Sequence, residues 1–155
     1  MPSRRRPTEH VAAPARLFVD SSAWLALRSL RDQHHEDADR LFHEAISHRI
    51  PLVTTNLVIA ETHRLTLHRA GVDPAMRALQ RMNASSSLTI HFATADEHVT
   101  ACRWAERLMP HPITYTDAVS FAVMEATRCR VVLGFDTDFV VAGFTLWRGS
   151  GKVPS

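Results

Sequence analysis

Residues 17–27 read LFVDSSAWLAL, and the stretch changes character at Asp20. Leu17, Phe18 and Val19 form a short unbroken apolar run, the pattern of a strand buried on both faces. Ser21 and Ser22 then open an amphipathic helical segment carrying Trp24, Leu25 and Leu27. Asp20 falls at the junction. In a parallel α/β sheet the carboxyl end of a strand is where ligands and reactive groups collect. The plain alternative is helix capping, a role aspartate fills well and one worth about 1 kcal/mol. Standing alone, Asp20 is read as a cap. Three further acids in equivalent places change that reading.

Outward from this stretch the chain alternates strands and helices. Residues 34–48 predict a helix whose apolar positions Ala38, Leu41, Phe42, Ala45 and Ile46 share one face. A short strand over 51–54 leads into a helix over 56–70, which Gly71 ends. Asp73 and Pro74 have the N-cap and first-position signature of another helix, closed by the polar cluster 83–87. Residues 88–92 alternate as a strand, and Thr94 with Glu97 forms a capping box for a helix reaching Met109. Pro110-His111-Pro112 is a break. A helix over 114–128, the strand-like run 130–135 (RVVLGF), a turn at 136–139 and a last strand over 143–147 complete the pattern. The expected fold class is α/β, three layers with helices on both faces of a mostly parallel sheet. The expected organisation is a flexible tail over 1–15, one domain over 16–148, and a loose terminus over 149–155.

Composition bounds the chemistry. The 155 residues are 45% hydrophobic and 22% charged, values of a globular domain able to bury a core. A formal charge of +2 gives no strong field for nucleic acid. Lys152 is the only lysine, which excludes P-loop and Schiff-base enzymes, since both place a lysine inside the fold. Two cysteines without a CxxC spacing, Cys102 and Cys129, suit a reduced protein. The apolar runs are too short to cross a membrane, and residues after Arg4–Arg6 lack the apolar core of a secretory signal. A cytoplasmic protein is therefore expected.

Four acids then stand out. Asp20 and Asp136 each follow a strand, so both project from one sheet edge if the strands are parallel. Glu61 lies in the second turn of the helix after the strand at 51–54, on the apolar face of Leu57, Val58 and Leu65. An unpaired carboxylate is costly there, and a salt bridge to Arg64 is its plain explanation. Asp117 has capping-box spacing to Thr114. Two carboxylates ~4 Å apart repel by about 4 kcal/mol at an effective dielectric near 20, so such a cluster calls for a cation. Hard oxygen donors favour Mg2+ or Mn2+ over zinc, and carboxylate-held metals activate water against phosphodiesters.

LFVDSSAWLAL with Asp20, NLVIAET with Glu61, TYTDAVSFAVME with Asp117 and VVLGFDTDF with Asp136 together resemble the PIN-domain family, and within it the VapC-type toxins of toxin–antitoxin pairs. The likeness runs from Leu17 to Trp147. It implies a Mg2+- or Mn2+-dependent endoribonuclease acting on single-stranded RNA, held by a cognate antitoxin and commonly a homodimer. It assigns the metal and the attacking water to Asp20, Glu61, Asp117 and Asp136, with Asp138 sharing the same turn. Ser21, Thr114 and Thr116 are candidates to aim these carboxylates, each with a plain capping alternative. A nuclease of RNA processing and a non-catalytic RNA-binding scaffold are the rival readings. The ten histidines form no zinc spacing and are read as solvated, including His34, His35, His63 and His68. Trp24, Trp104 and Trp147 are read as core. Arg64, Arg69, Arg77 and Arg81 offer either a basic rim for an RNA backbone or a solvated surface.

Overall fold

The structure, a computed structural model, describes residues 12–150. The tail and terminus expected at the two ends fall mainly outside the described residues, as do Arg4–Arg6. The chain runs β1 (Leu17–Val19), α1 (Ser21–Arg28), α2 (His35–Ser47), β2 (Leu52–Thr55), α3 (Asn56–Ala70), α4 (Val72–Ala84), β3 (Leu88–His91), α5 (Ala95–Arg107), α6 (Tyr115–Ala126), β4 (Val131–Leu133), α7 (Asp138–Val141) and β5 (Thr145–Leu146). The five strands make one sheet in the order β3-β2-β1-β4-β5. Every pairing is parallel, so the sheet is wholly rather than mostly so.

Strand order makes β1 the centre. Phe18 sits beside Val53 on one side and Val132 on the other. The chain moves outward through β2 and β3, then returns to start again at β4. The β1–β4 seam is thus the point where winding reverses, and its carboxyl end is an open crevice. Asp20 and Gly134 are the first residues past the two strands at that seam.

Side-chain alternation along the strands divides the core between two faces. Phe18 and Val132 point into a cluster with Trp104 of α5, Phe121 and Val123 of α6, Phe139 of α7, and Phe144. Leu17, Val19 and Leu133 point the other way, against Ala23 of α1, Leu41 and Phe42 of α2, and Ala78 and Met82 of α4. α6 is enclosed, with Asp117 to Met124 all buried. This is why TYTDAVSFAVME is apolar around its whole circumference rather than on one stripe. Cys129 is buried and Cys102 exposed, both free thiols.

Three local expectations are corrected. α4 is capped by Gly71, not Asp73. At φ +89° the Gly71 N–H donates to the Leu67 carbonyl, closing α3, and the Gly71 carbonyl accepts from the Ala75 N–H, so α4 begins at Val72 and Asp73 already lies inside its first turn. The segment after β4 turns at Asp136 and then winds one helical turn as α7. His34 and His35 are half-buried rather than solvated. The His34 ring stacks on Phe135 at 4.4 Å, and His35 Nδ1 lies 2.9 Å from the Ala26 carbonyl.

Candidate functional site

Each acid at the sheet edge is held by one carboxylate oxygen, leaving the other available. Asp20 is 2% exposed and caps α1: its Oδ2 accepts from the Ser22 hydroxyl at 2.8 Å and the Ser22 N–H at 3.3 Å. The same hydroxyl accepts from the Phe135 N–H at 3.0 Å, which ties α1 to the end of β4. Asp117 is buried and completes the capping box of α6, its Oδ2 accepting from the Thr114 N–H while Thr114 Oγ1, at the N-cap, accepts from the Asp117 N–H. Asp136 Oδ1 accepts from the Asp138 N–H at 2.9 Å. Asp138 Oδ1 lies 2.7 Å from His111 Nε2. Glu61 Oε2 accepts from the Ser21 hydroxyl at 2.6 Å, which joins α3 to the start of α1.

Capping and site chemistry are therefore compatible rather than exclusive. A carboxylate has two oxygens, and a helix N-terminus uses one. Asp117, Asp136 and Asp138 present oxygens that all lie within 4.8 Å of one another. Asp136 and Glu61 both raise the Asp117 pKa through their charge, and Asp117 does the same to Asp20. Burial is the larger cause for both, taking Asp20 up to about 7 and Asp117 up to about 6. Asp20 Oδ1 is fully enclosed and has no hydrogen-bond partner, an expensive state for a carboxylate oxygen. A buried oxygen with nothing to accept from, beside acids that repel it, fits a divalent cation. The donor set is oxygen throughout, which suits Mg2+ or Mn2+.

The remaining expected residues divide. Ser21 and Thr114 each hold a site carboxylate. Thr116 instead offers its backbone carbonyl to Ser120. Glu61 makes no ion pair with Arg64, which is exposed; the sheet edge turns Glu61 toward Ser21 and Asp117.

Residues 17–144 match the PIN domain family. This chain belongs to that family. The 23S rRNA-specific endonuclease VapC20 of Mycobacterium tuberculosis is 35% identical over 129 residues, 83% of this chain and 95% of the relative. The crystal structure of VapC20, described as a sarcin–ricin loop cleaving toxin, aligns with a TM-score of 0.79 at 33% identity, over 85% of this chain and 98% of that one. The chain is thus a VapC-type PIN domain, an enzyme of the class its motifs resemble. Two more distant structures share the fold. PAE2754 from Pyrobaculum aerophilum aligns at a TM-score of 0.57 and 22% identity, over 83% and 84% of the two chains. A chain of FitAB bound to an IR36 DNA fragment aligns at 0.59 and 15%, over 84% and 93%.

Three residues that pack against these acids escape the sequence reading. Ser22 bridges Asp20 and Phe135, while attention falls on its neighbour Ser21. His111 meets Asp138 from the Pro-His-Pro break, and that rigid break just before the Asp117 helix was its one signal. Gly134 is the third. A Cβ there would stand 3.1 Å from Asp20 Cβ and 3.2 Å from Ser22 Oγ, so a larger residue would have to push Asp20 or Ser22 aside by a few tenths of an ångström. Gly134→Ala is expected to cost about 1–3 kcal/mol of stability, as overpacking does, and to weaken Mn2+ binding by displacing Asp20. Denaturant melts and a Mn2+ titration check both. Ser21→Ala frees Glu61 from its only hydrogen-bonded anchor among the described residues. Losing such a support commonly weakens a metal site about 10–100-fold, and the same titration reads it.

Proposed function

We propose that this PIN domain is a divalent-metal-dependent endoribonuclease that cleaves single-stranded segments of RNA, and the toxin of a toxin–antitoxin pair. The observation that carries the reading is the acidic group Asp117, Asp136 and Asp138, to which Asp20 and Glu61 are joined through their charge interaction with Asp117, each acid pinned through one oxygen. Asp20, Glu61, Asp117 and Asp136 would hold Mg2+ or Mn2+, with Asp138 beside them. A bound cation of this kind lowers the pKa of water and offsets charge building on a phosphodiester.

The chain's own groups supply alignment. Ser22 and Thr114 fix Asp20 and Asp117 through helix caps, so these carboxylates need little reorganisation when charge develops. Ser21 aims Glu61, and His111 holds Asp138 through the loop before α6. The enclosed Asp20 oxygen has no hydrogen bond to give up to a cation. Arg64, Arg69, Arg77 and Arg81 are exposed on α3 and α4, which supports the basic rim for an RNA backbone. The substrate reading leans on the relative's description as 23S rRNA-specific: a loop within structured ribosomal RNA is the preferred target class. A cognate antitoxin, a homodimeric state and a cytoplasmic setting belong to the same proposal. No described helix is long and apolar enough to cross a membrane.

The test is cleavage of two RNAs, a 23S rRNA fragment carrying the sarcin–ricin loop and an unstructured RNA of equal composition, with Mg2+, Mn2+ or EDTA. Discrete cuts in one or both RNAs that need the metal support the nuclease, and preference for the first supports the ribosomal target. Cutting that persists in EDTA, or none of either RNA by active-concentration protein, overturns it.

A further inference from the structure

A cavity of about 190 Å³ opens between α1, α3 and α4, on the side of the sheet away from α5 and α6. Four buried side-chain polar atoms among the described residues lack a hydrogen-bond partner. One is the Asp20 oxygen. The other three, Trp24 Nε1, Arg28 Nε and Thr62 Oγ1, belong to residues that all line this cavity. Thr62 is 0% exposed. Buried donors are paired in the great majority of native sites, so three unpaired ones on residues that share one cavity wall point to a missing acceptor.

The chemistry of the walls is one-sided. Arg28 Nη2 is anchored on the Pro74 carbonyl at 3.2 Å, which keeps its guanidinium in place and leaves Nε without a partner. Arg81 stands at the cavity as a second cation. Burial first, then the Arg81 and Arg77 charges, hold the Arg28 pKa below the ordinary guanidinium value; these cations repel one another and want an anion between them. No carboxylate lines the cavity among the described residues. Leu27, Ala78 and Met82 make up the rest, an apolar wall for the body of a ligand. An apolar cavity of about 150 Å³ accommodates a benzene ring, so this one suits a ring-sized group with a head.

We propose that the α1–α3–α4 cavity is a binding site for a small free carboxylic acid with an apolar body, its carboxylate received by Trp24 Nε1, Arg28 Nε, Thr62 Oγ1 and the Arg81 charge. The site is separate from the acidic cluster, and it stands whether or not the nuclease reading does.

The probe is benzoate, with benzamide as the neutral analogue, inorganic phosphate as the bodiless anion, and N-acetylphenylalanine as a mimic of a protein chain end. Calorimetry and the fluorescence of Trp24 are read on the full chain. The expected result is saturable benzoate binding, at least about tenfold tighter than benzamide, with a Trp signal that Trp24→Phe removes. Arg81→Gln and Thr62→Val each weaken it by roughly tenfold, the scale of one hydrogen bond to a charged group. Arg81 is exposed and Val is close in shape to Thr, and thermal melts of both variants are the check that they remain folded. Equal binding of benzamide, tighter binding of phosphate or of the chain-end mimic, or indifference to both substitutions would overturn the proposal. So would no saturable binding of benzoate, which would leave the three polar atoms to water.

Discussion

Asp20→Asn is expected to reduce metal-dependent cleavage by at least about a hundredfold, the scale on which one preorganised charge-stabilising group acts, while making the metal-free protein more stable at pH 8. The two effects have one cause. The wild-type carboxylate is 2% exposed, one of its oxygens has no partner, and its pKa stands at about 7 against an ordinary 3.8. A folded-state pKa above the unfolded value means that folding favours the protonated acid. Its stability contribution is full below about pH 4 and is lost as pH rises through about 7. At ~1.4 kcal/mol for each pH unit between those limits, the loss is on the order of 4 kcal/mol. Asparagine has no charge to bury, so the variant avoids most of it. Some of the gain is returned, because its carbonyl takes the place that accepts from Ser22 and its NH2 falls where Oδ1 lacked a partner. Urea melts of both proteins in EDTA at pH 4 and pH 8 check this: the variant should win at pH 8 and show little advantage at pH 4. A variant less stable than wild type at pH 8 would contradict the account of Asp20.

Protons and the metal should compete for the same oxygens. Asp117, at about 6, and Asp20, at about 7, must both lose their protons to bind a cation. Binding sheds one proton between pH 7 and pH 6 and two between pH 6 and pH 5. Each proton displaced changes affinity by about tenfold per pH unit, so Mn2+ affinity should fall on the order of a thousandfold from pH 7 to pH 5. The stability consequence is direct. Metal at a hundred times its dissociation constant adds about 2.7 kcal/mol, which raises Tm by roughly 5–10 °C for a domain of this size. That rise should be seen in wild type at pH 7.5 and vanish at pH 5 for the same metal concentration. A pH-independent rise would place the cation elsewhere.

These expectations draw on features with very different visibility in the sequence. The apolar run Leu17-Phe18-Val19 and the Thr94 and Thr114 capping boxes are local, and local rules place them: both boxes are present as read. The parallel sheet follows from alternation. The order that puts β1 beside β4 is what brings Asp20 and Asp136 to one crevice. Long-range contacts were not legible. Glu61 was set against Arg64, its neighbour on the helix, because nothing in the sequence says that Ser21, forty residues earlier, would reach it. His111 and Gly134 matter only through what folding lays against them. Asp117 carried a false choice, cap or site, which two oxygens resolve. The cavity lined by Trp24, Arg28 and Thr62 draws on separate helices, and of the three only Trp24 is placed by the sequence pattern, in the core.

The account turns on whether the acids at the β1–β4 edge hold a cation. Calorimetric titration of Mn2+ into the EDTA-treated, dialysed protein at pH 7.5, with Asp20→Asn alongside, tests it most directly. A saturable site in wild type that the variant loses, with protons released on binding, is the expected result. Heats no different from dilution in wild type, or a site that Asp20→Asn leaves intact, would contradict it.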